Sequence, residues 1–177
     1  VDAPNPQKAL QAFRVACTDK AYAPGCTYLG DMYWKGVGVS KDLRQAKLYY
    51  EEACKAKDVW GCHRLGDLLG ELDERESERF QHYTHSCAHG YELGCMAQAS
   101  VMMETAKTKL EWAFIAEQLD RGCTYGQRNK CAALAGLYHQ GKGVKRSLPI
   151  AKALYQSTCV SGITTSCHAM GSLFLDM

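Results

Sequence analysis

The sequence predicts an all-α protein, a solenoid of antiparallel helix pairs. Three observations predict it: cysteine pairs recur at a fixed period, apolar residues recur at helical spacing, and a Gly-x-Gly-Val break separates helical stretches. Within each pair the cysteines are eight or nine residues apart, and the step between pairs is 33 or 36 residues. A period in this range is typical of helical repeat arrays. The ten cysteines are Cys17, Cys26, Cys54, Cys62, Cys87, Cys95, Cys123, Cys131, Cys159 and Cys167.

The repeating unit is clearest from Gly25 to Cys54, "GCTYLGDMYWKGVGVSKDLRQAKLYYEEAC", and again from Lys130 to Cys159. Each copy has a first helix (helix A), a glycine turn and a second helix (helix B). We expect at least one glycine of each turn to have a positive φ, because the chain must end a helix and reverse within a few residues. The predicted inner faces consist of Leu29, Met32, Tyr33 and Gly36 for helix A, and of Leu43, Ala46 and Tyr50 for helix B.

Ten helices are predicted, at residues 6–19, 24–35, 41–56, 60–70, 73–88, 92–104, 106–121, 126–140, 147–160 and 165–175. Ser40 and Ser147 are the predicted N-caps of B helices, and Asn5 followed by Pro6 starts the first one. Strand signals and flexible linkers are absent, which predicts one solenoid domain over residues 1–177.

The cysteine spacing predicts local disulfides. Each pair joins the end of a B helix to the start of the next A helix, where a short connection brings the two Cα atoms side by side. The predicted bridges are 17–26, 54–62, 87–95, 123–131 and 159–167, each contributing about 2–3 kcal/mol through chain entropy. Zinc is the alternative, although zinc ligand pairs usually lie two to four residues apart and come in fours. Disulfides imply an oxidising compartment, so we expect a periplasmic or secreted protein.

Charge and hydropathy exclude several classes of function. The formal net charge is +2, which favours neither nucleic acid nor an anionic membrane surface as a partner. No apolar run approaches the length of a membrane-spanning helix. Because the chain opens on Val1, we interpret it as a mature or trimmed form.

The pattern "GC..LG..Y..G.GV..D...A...Y..AC" resembles the Sel1-like repeat (SLR), and with its regularly spaced cysteines it is most similar to the Helicobacter cysteine-rich proteins of that class. Residues 61–87 are shorter by three, and residues 94–123 lose the Leu-Gly and the glycine turn. The resemblance implies a right-handed superhelical, TPR-like fold with one disulfide per repeat. It also implies binding scaffolds in secretion and host contact, immunity proteins against secreted toxins, or weak β-lactamases and penicillin binders.

The chain lacks recognisable catalytic or cofactor motifs. No serine has a lysine three residues later, so the serine β-lactamase nucleophile is missing. His82, His85 and His89 share one helix face, which suits either a solvated helix end or a metal. The acidic run at 71–79 is interpreted as the solvated first turns of a helix. No catalytic residue, cofactor or metal site is predicted.

Partner binding is predicted on the concave face lined by the A helices. Counting from the second cysteine of each pair, offsets 3, 4, 6 and 7 are expected in the core, and offsets 1, 5 and 8 in the groove. Asp31 and Asp67 are expected to be exposed. The predicted groove residues are Tyr28, Asp31, Trp34, His63, Arg64, Asp67, Met96, Ser100, Met103, Trp112 and His139.

These observations predict a monomeric protein–protein interaction scaffold. An immunity or adaptor role toward a bacterial toxin or secretion component is the finer hypothesis, drawn from the resemblance. The alternative is a β-lactam hydrolase or a binder of penicillin or cell-wall peptides.

Overall fold

A computed structural model describes residues 5–18, 22–72 and 76–176. The described residues form ten α-helices and no strand. The helices are α1 (Pro6–Thr18), α2 (Pro24–Lys35), α3 (Leu43–Lys55), α4 (Val59–Glu71), α5 (Glu76–Ala88), α6 (Glu92–Thr105), α7 (Lys109–Thr124), α8 (Arg128–Gln140), α9 (Leu148–Val160) and α10 (Thr164–Leu175). The all-α prediction is confirmed, and most boundaries lie within two residues of those predicted.

The largest shift is at α7, which was predicted at 106–121. Its start is fixed by a capping box, in which the Thr108 hydroxyl accepts from the Glu111 amide and the Glu111 carboxylate accepts from the Thr108 amide. The predicted cap at Ser40 is wrong, because Asp42 caps α3. Ser147 lies at the N-cap of α9 but makes no cap bond, whereas Asn5 accepts from the Lys8 amide at 3.0 Å as predicted.

The five predicted disulfides are all present, and no cysteine is free. Their Cα–Cα distances run from 4.4 Å in the first bridge to 4.8 Å in the last. Three of the connections between bridged helices carry a glycine with positive φ, namely Gly90, Gly126 and Gly162, and the connection from α3 to α4 uses Lys57 at φ 66° instead. Each bridge therefore closes a tight reversal of the chain.

The chain divides into two compact units, one ending at Cys95 and the other beginning at Met96. The core of the first unit has two clusters. Leu10 of α1 packs against Leu29 and Met32 of α2, and Tyr50 of α3 packs among the leucines of α4. The predicted inner face is confirmed for Leu29, Met32, Ala46 and Tyr50, which are all buried. The single domain over 1–177 stays a prediction.

The second unit also has two clusters. One joins α6, α7 and α8 through residues such as Ala99, Ile115 and Leu134. The other joins α8, α9 and α10 through Ala135, Tyr155 and Leu173. The segment without a glycine turn thus packs its A and B helices with the aliphatic and small side chains that the sequence provides there.

The Gly-x-Gly-Val turns occur where predicted, and both glycines of each turn have positive φ. The second glycine of each turn is required for two reasons: its φ is positive, and neighbouring backbone leaves no room for a Cβ. A Cβ on Gly38 would lie 2.9 Å from the carbonyl oxygen of Pro6, at the start of α1. A Cβ on Gly143 would overlap the backbone of Trp112, near the start of α7. In each case the turn lies directly on the preceding B helix.

Gly143→Ala should therefore destabilise the protein more than Gly141→Ala. Both variants place alanine at a positive φ, which costs about 1 kcal/mol. Gly143→Ala adds a clash with backbone that cannot move aside, for a total of about 3 kcal/mol. Urea denaturation of the two variants measures the difference, and equal losses would show that the turn does not lie against α7.

Candidate functional site

Polar side chains of the first unit form a continuous network centred on Asp31 of α2. Its carboxylate accepts hydrogen bonds from the Tyr50 hydroxyl and from Arg64 Nε and Nη2, the latter two at 2.9 and 2.8 Å. Lys35 Nζ lies 3.5 Å from the other carboxylate oxygen. The Asp31 side chain is only 15% exposed. Asp31 thus joins α2 to the B helix of its own repeat and to the A helix of the next.

Asp67 repeats this arrangement one helix pair later. It accepts from the Tyr83 hydroxyl at 3.0 Å and from Arg64 Nη1 at 3.3 Å. His63 Nε2 lies 3.5 Å from the same carboxylate, while the buried His63 Nδ1 has no hydrogen-bond partner among the residues that the structure describes. Arg64 therefore bridges two carboxylates of successive A helices, and its own side chain is 18% exposed.

An indole ring covers this network. The Arg64 guanidinium lies 4.2 Å from the centroid of Trp34, a cation–π arrangement. The Trp34 Nε1 group donates to Glu71 of α4, and Lys41 Nζ donates to the same carboxylate at 3.3 Å. One aromatic ring and three charged side chains thus lie between the buried network and solvent, namely Trp34, Arg64, Lys41 and Glu71.

Burial and hydrogen bonding fix the protonation of the network. Burial, followed by the hydrogen bond to Asp31, raises the pKa of Tyr50 far above its usual range, and burial with Asp67 does the same for the pKa of Tyr83. Burial lowers the pKa of His63, although the Asp67 carboxylate opposes this. The tyrosines therefore remain protonated donors near neutral pH, and His63 favours its neutral, free-base form.

Aromatic rings extend from this network along one side of the unit. Phe13 of α1 stacks on Tyr28 at 4.8 Å, and Tyr28 meets the edge of Trp60 at 4.9 Å. Tyr28 is 40% exposed. With Asp31, Met32, Lys35 and Val37, Phe13 and Tyr28 line an open cavity of about 260 Å³. We call Phe13 and Tyr28 with this cavity the aromatic surface, which Asp31 connects to the network.

Six of the predicted groove residues, from Tyr28 to Asp67, belong to the first unit. Five of these lie together in the network, namely Asp31, Trp34, His63, Arg64 and Asp67. The expectation that Asp31 and Asp67 are exposed is wrong, since both carboxylates are committed to internal hydrogen bonds. Burial also corrects the assignment of offset 1 to the groove: Thr27, His63 and Met96 are buried. Charge reversal at Asp31 or Asp67 would thus disrupt the fold as well as any binding.

The other predicted groove residues lie in the second unit. Ser100 is the hydrogen-bond partner of Lys130, whose pKa is lowered by burial. Met103 packs against the cluster around Ile115, and the Trp112 ring lies 4.9 Å from Lys142 Nζ. His139 Nε2 lies 2.7 Å from an Asp176 carboxylate oxygen. His139 and Asp176 occupy the same repeat positions as Trp34 and Glu71.

Tyr50, Tyr83 and Glu71 were absent from the predicted site. The signal for the tyrosines was in the sequence, because each lies four residues before a first cysteine and opposite a Leu-Gly-Asp triplet. Glu71 was assigned to the run that begins the following helix, but it ends α4. Residues 73–75 of that run lie outside the described residues, and Glu76 and Glu78 are in the first turn of α5, where the helix dipole favours them.

The three histidines on α5 do not point to one centre. His82 Nδ1 lies 3.9 Å from Cys54 Sγ, whereas the rings of His85 and His89 lie against each other, tilted, with centroids 4.3 Å apart. Burial lowers the pKa of His82. Across the described part of the chain, His, Cys, Asp and Glu side chains form no group of three that could hold a metal ion. In the same ranges, none of the helices has the length and apolar content needed to cross a membrane.

Comparison with known proteins explains the repeat. Residues 23–58 and 131–159 match the Sel1 repeat family. A crystal structure of a Sel1 repeat protein from Oxalobacter formigenes superposes with a TM-score of 0.69 at 21% identity, covering 96% of this chain and 70% of that one. The chain contains Sel1 repeats and has the SLR fold. A protective antigen of uropathogenic Escherichia coli with an SLR fold is also similar (TM-score 0.63, 18% identity, 96% and 44% coverage).

Two curated relatives are similar over part of the chain. Cytochrome c oxidase assembly factor 7 of Xenopus tropicalis is 33% identical over 81 residues, covering 42% of this chain and 35% of its own length. Assembly factor 7A of Xenopus laevis is 34% identical over 74 residues, covering 38% and 32%. The chain thus spans about a third of the length of the curated relatives it matches. Sel1 repeats form helical scaffolds of the kind that presents an extended binding surface to other proteins.

Arg64→Met should lower the free energy of unfolding by about 2 kcal/mol, because it leaves two half-buried carboxylates facing each other without a cation. Arg121→Met is the matched control. Arg121 pairs with Glu117 on the exposed surface of α7, and its loss should cost less than about 0.5 kcal/mol. Equal effects in denaturant titrations would contradict the structural role of Arg64.

Stability should fall as the pH drops below the ordinary histidine pKa of 6.5. Because the folded-state pKa values of His63 and His82 are lowered, the unfolded chain binds more protons there than the folded chain. Their contribution is complete above pH 6.5 and is lost as the pH falls through the folded-state values. The double variant His63→Gln/His82→Gln should flatten the slope of unfolding free energy against pH. A persistent slope in the double variant would refute the assignment.

Proposed function

We propose that this SLR protein is a binding scaffold of an oxidising compartment that holds a client protein during assembly of a larger complex. The observation that carries the proposal is the aromatic surface of the first unit, where exposed Tyr28 borders an open cavity above a rigid polar network. Tyrosine and tryptophan on a preorganised surface are the side chains most enriched at binding hot spots. The network keeps Trp34 and Arg64 in place before a partner arrives, which reduces the entropic cost of binding.

The compartment is inferred from the disulfides. Five bridges in one chain are typical of proteins that fold where thiols are oxidised, such as the periplasm or the extracellular space. With every cysteine bridged, the chain offers no free thiol for covalent catalysis. A location in such a compartment is therefore part of the proposal.

The two curated relatives support the assembly role. Both are named as assembly factors of cytochrome c oxidase, and each aligned segment is about a third of the relative's length. An immunity or adaptor role toward a bacterial toxin is the competing client class, and it is supported only by the resemblance to SLR proteins. A covalent β-lactamase role lacks a nucleophile in the network described above, whereas simple binding of penicillin or cell-wall peptides would need none.

Site-specific photocrosslinking tests the proposal. A photoreactive phenylalanine analogue is placed at Tyr28 and, as a matched control, at Tyr125, an exposed tyrosine of the second unit. We expect position 28 to crosslink to one protein, identified by mass spectrometry as a subunit or assembly intermediate of a multisubunit complex. Position 125 should not crosslink to it.

Affinity measurements with that client provide the quantitative test. Tyr28→Ala should weaken binding about tenfold, because it removes an exposed aromatic anchor. A toxin recovered at position 28 would replace the assembly role by the immunity role. Hydrolysis of a β-lactam by the purified protein, with no crosslinked client, would overturn the scaffold proposal.

A further inference from the structure

The C-terminal part of the chain is strongly basic. From Arg121 to Leu175 the sequence has seven lysines and arginines and no aspartate or glutamate, although the whole chain has a net charge of only +2. The charge is therefore distributed unevenly, with the excess of cations in the second unit. The seven cations are Arg121, Arg128, Lys130, Lys142, Lys145, Arg146 and Lys152.

Several of these cations already have a partner. Arg121 pairs with Glu117, Lys130 bonds to Ser100, and Lys152 lies 5.1 Å from the Phe174 ring centroid. Lys145 and Arg146 differ, since both are exposed and neither is paired with a carboxylate among the described residues. With Lys142, which lies over Trp112, they form a cluster on the second Gly-x-Gly-Val turn. We call Lys142, Lys145 and Arg146 the basic turn.

The geometry of Arg146 suits an external carboxylate. Its Nε donates to the carbonyl oxygen of His139 at 3.0 Å, which fixes the guanidinium plane. Its two terminal nitrogens make no hydrogen bond within the described ranges. A guanidinium held at Nε with both terminal groups open can donate two parallel hydrogen bonds to one carboxylate.

The first repeat shows what the same turn looks like when its charges are satisfied internally. There Lys41, at the position of Arg146, donates to Glu71. Asp42, at the position of Ser147, caps the following helix. In the fourth repeat the carboxylate equivalent to Glu71 is Asp176, which is 2.7 Å from His139. The basic turn thus has the same glycine backbone as the first turn, whereas the equivalent carboxylate pairs with His139 and not with Arg146.

A cavity of about 470 Å³ lies beside these cations. Its walls combine apolar side chains, Tyr138, Val144 and Ile150, with Lys145, Arg146 and Ser147. Ile150 is 44% exposed, and the Ser147 hydroxyl makes no cap bond. The cavity therefore offers an apolar floor with a cationic rim, within reach of one short peptide segment.

We propose that the basic turn and this cavity are a docking site for an acidic segment of a partner protein, with an apolar side chain in the cavity and flanking carboxylates on Lys145 and Arg146. Charge complementarity identifies the occupant as an anion. The concave apolar floor favours a peptide over a lipid surface, which would require an outward-facing apolar band. It also favours a peptide over nucleic acid, because the nearest indole, Trp112, is already covered by Lys142. The site is separate from the aromatic surface, so each can fail without the other.

The test uses fluorescence anisotropy with a labelled probe peptide in which leucine and phenylalanine are set among aspartates and glutamates. A second probe replaces the two apolar residues by serine. We expect the first probe to bind the intact protein at least about fivefold more tightly than the second, because only the first fills the cavity.

The decisive comparison is between two charge reversals of equal size. Lys145→Glu/Arg146→Glu should weaken binding of the first probe about tenfold or more. Arg121→Glu/Arg128→Glu changes the net charge by the same amount, but near the start of α8. Because the 13 residues of α8 span about 20 Å, this control lies about that far from the basic turn and should change affinity less than about twofold. Thermal melts check that both double variants are folded. If Lys145→Glu/Arg146→Glu is not, Lys145→Gln/Arg146→Gln is used in its place.

Three outcomes would overturn the proposal. Equal weakening by both reversals would show attraction by net charge alone. Equal affinity for the two probes would show that the cavity is not used. Tighter binding to phosphatidylserine-containing vesicles or to an oligonucleotide, with the same sensitivity to Lys145→Glu/Arg146→Glu, would assign the basic turn to lipid or nucleic acid instead.

Discussion

The close approach of consecutive helices at each cysteine pair sets the geometry of the rest of the chain. The bridged Cα atoms in the first three pairs lie 4.4–4.5 Å apart, and the residues just before them are small. A Cβ on Gly25 would lie 2.6 Å from the Ala16 Cβ, and one on Gly61 would lie 2.6 Å from the Ala53 Cβ. The disulfide and the two small residues just before its cysteines therefore depend on the same close contact between backbones. The disulfide holds this contact with a covalent bond, and the small residues allow it because a larger side chain would not fit.

That contact determines where the tyrosines lie. Tyr50 and Tyr83 are four residues before a bridged cysteine, and each ring fills the space left by a missing side chain, at Gly30 and Gly66 respectively. The residue after each glycine is an aspartate, so each hydroxyl reaches a carboxylate as its ring packs. Leu119 occupies the corresponding position in α7, where no such network forms and the packing is apolar. The polar network is thus a direct consequence of how helices A and B are held together.

Local patterns in the sequence were sufficient for the helices, the glycine turns and the disulfides, because each depends on residues within about one repeat. The candidate site depended on contacts between repeats. The offsets of Asp31 and Asp67 alone predicted exposure, but Tyr50 of its own helix pair and Arg64 of the next A helix withdraw Asp31 from solvent. Tyr83 of its own helix pair and Arg64 of the same helix do so for Asp67. Glu71 was assigned to the wrong helix because the acidic run hides the end of α4.

At the fourth bridge the small residue is on the opposite helix. Gly122 replaces the alanine or serine of the earlier pairs, and Lys130 replaces the glycine, with its Cγ only 2.9 Å from where a Gly122 Cβ would be. Met96 Sδ occupies the same gap at 3.0 Å. The two positions are therefore epistatic, because a side chain at 122 is compatible with a small residue at 130 and not with lysine. A mutational route from this repeat to the arrangement of the first three bridges must therefore replace Lys130 by a small residue before a side chain is added at position 122.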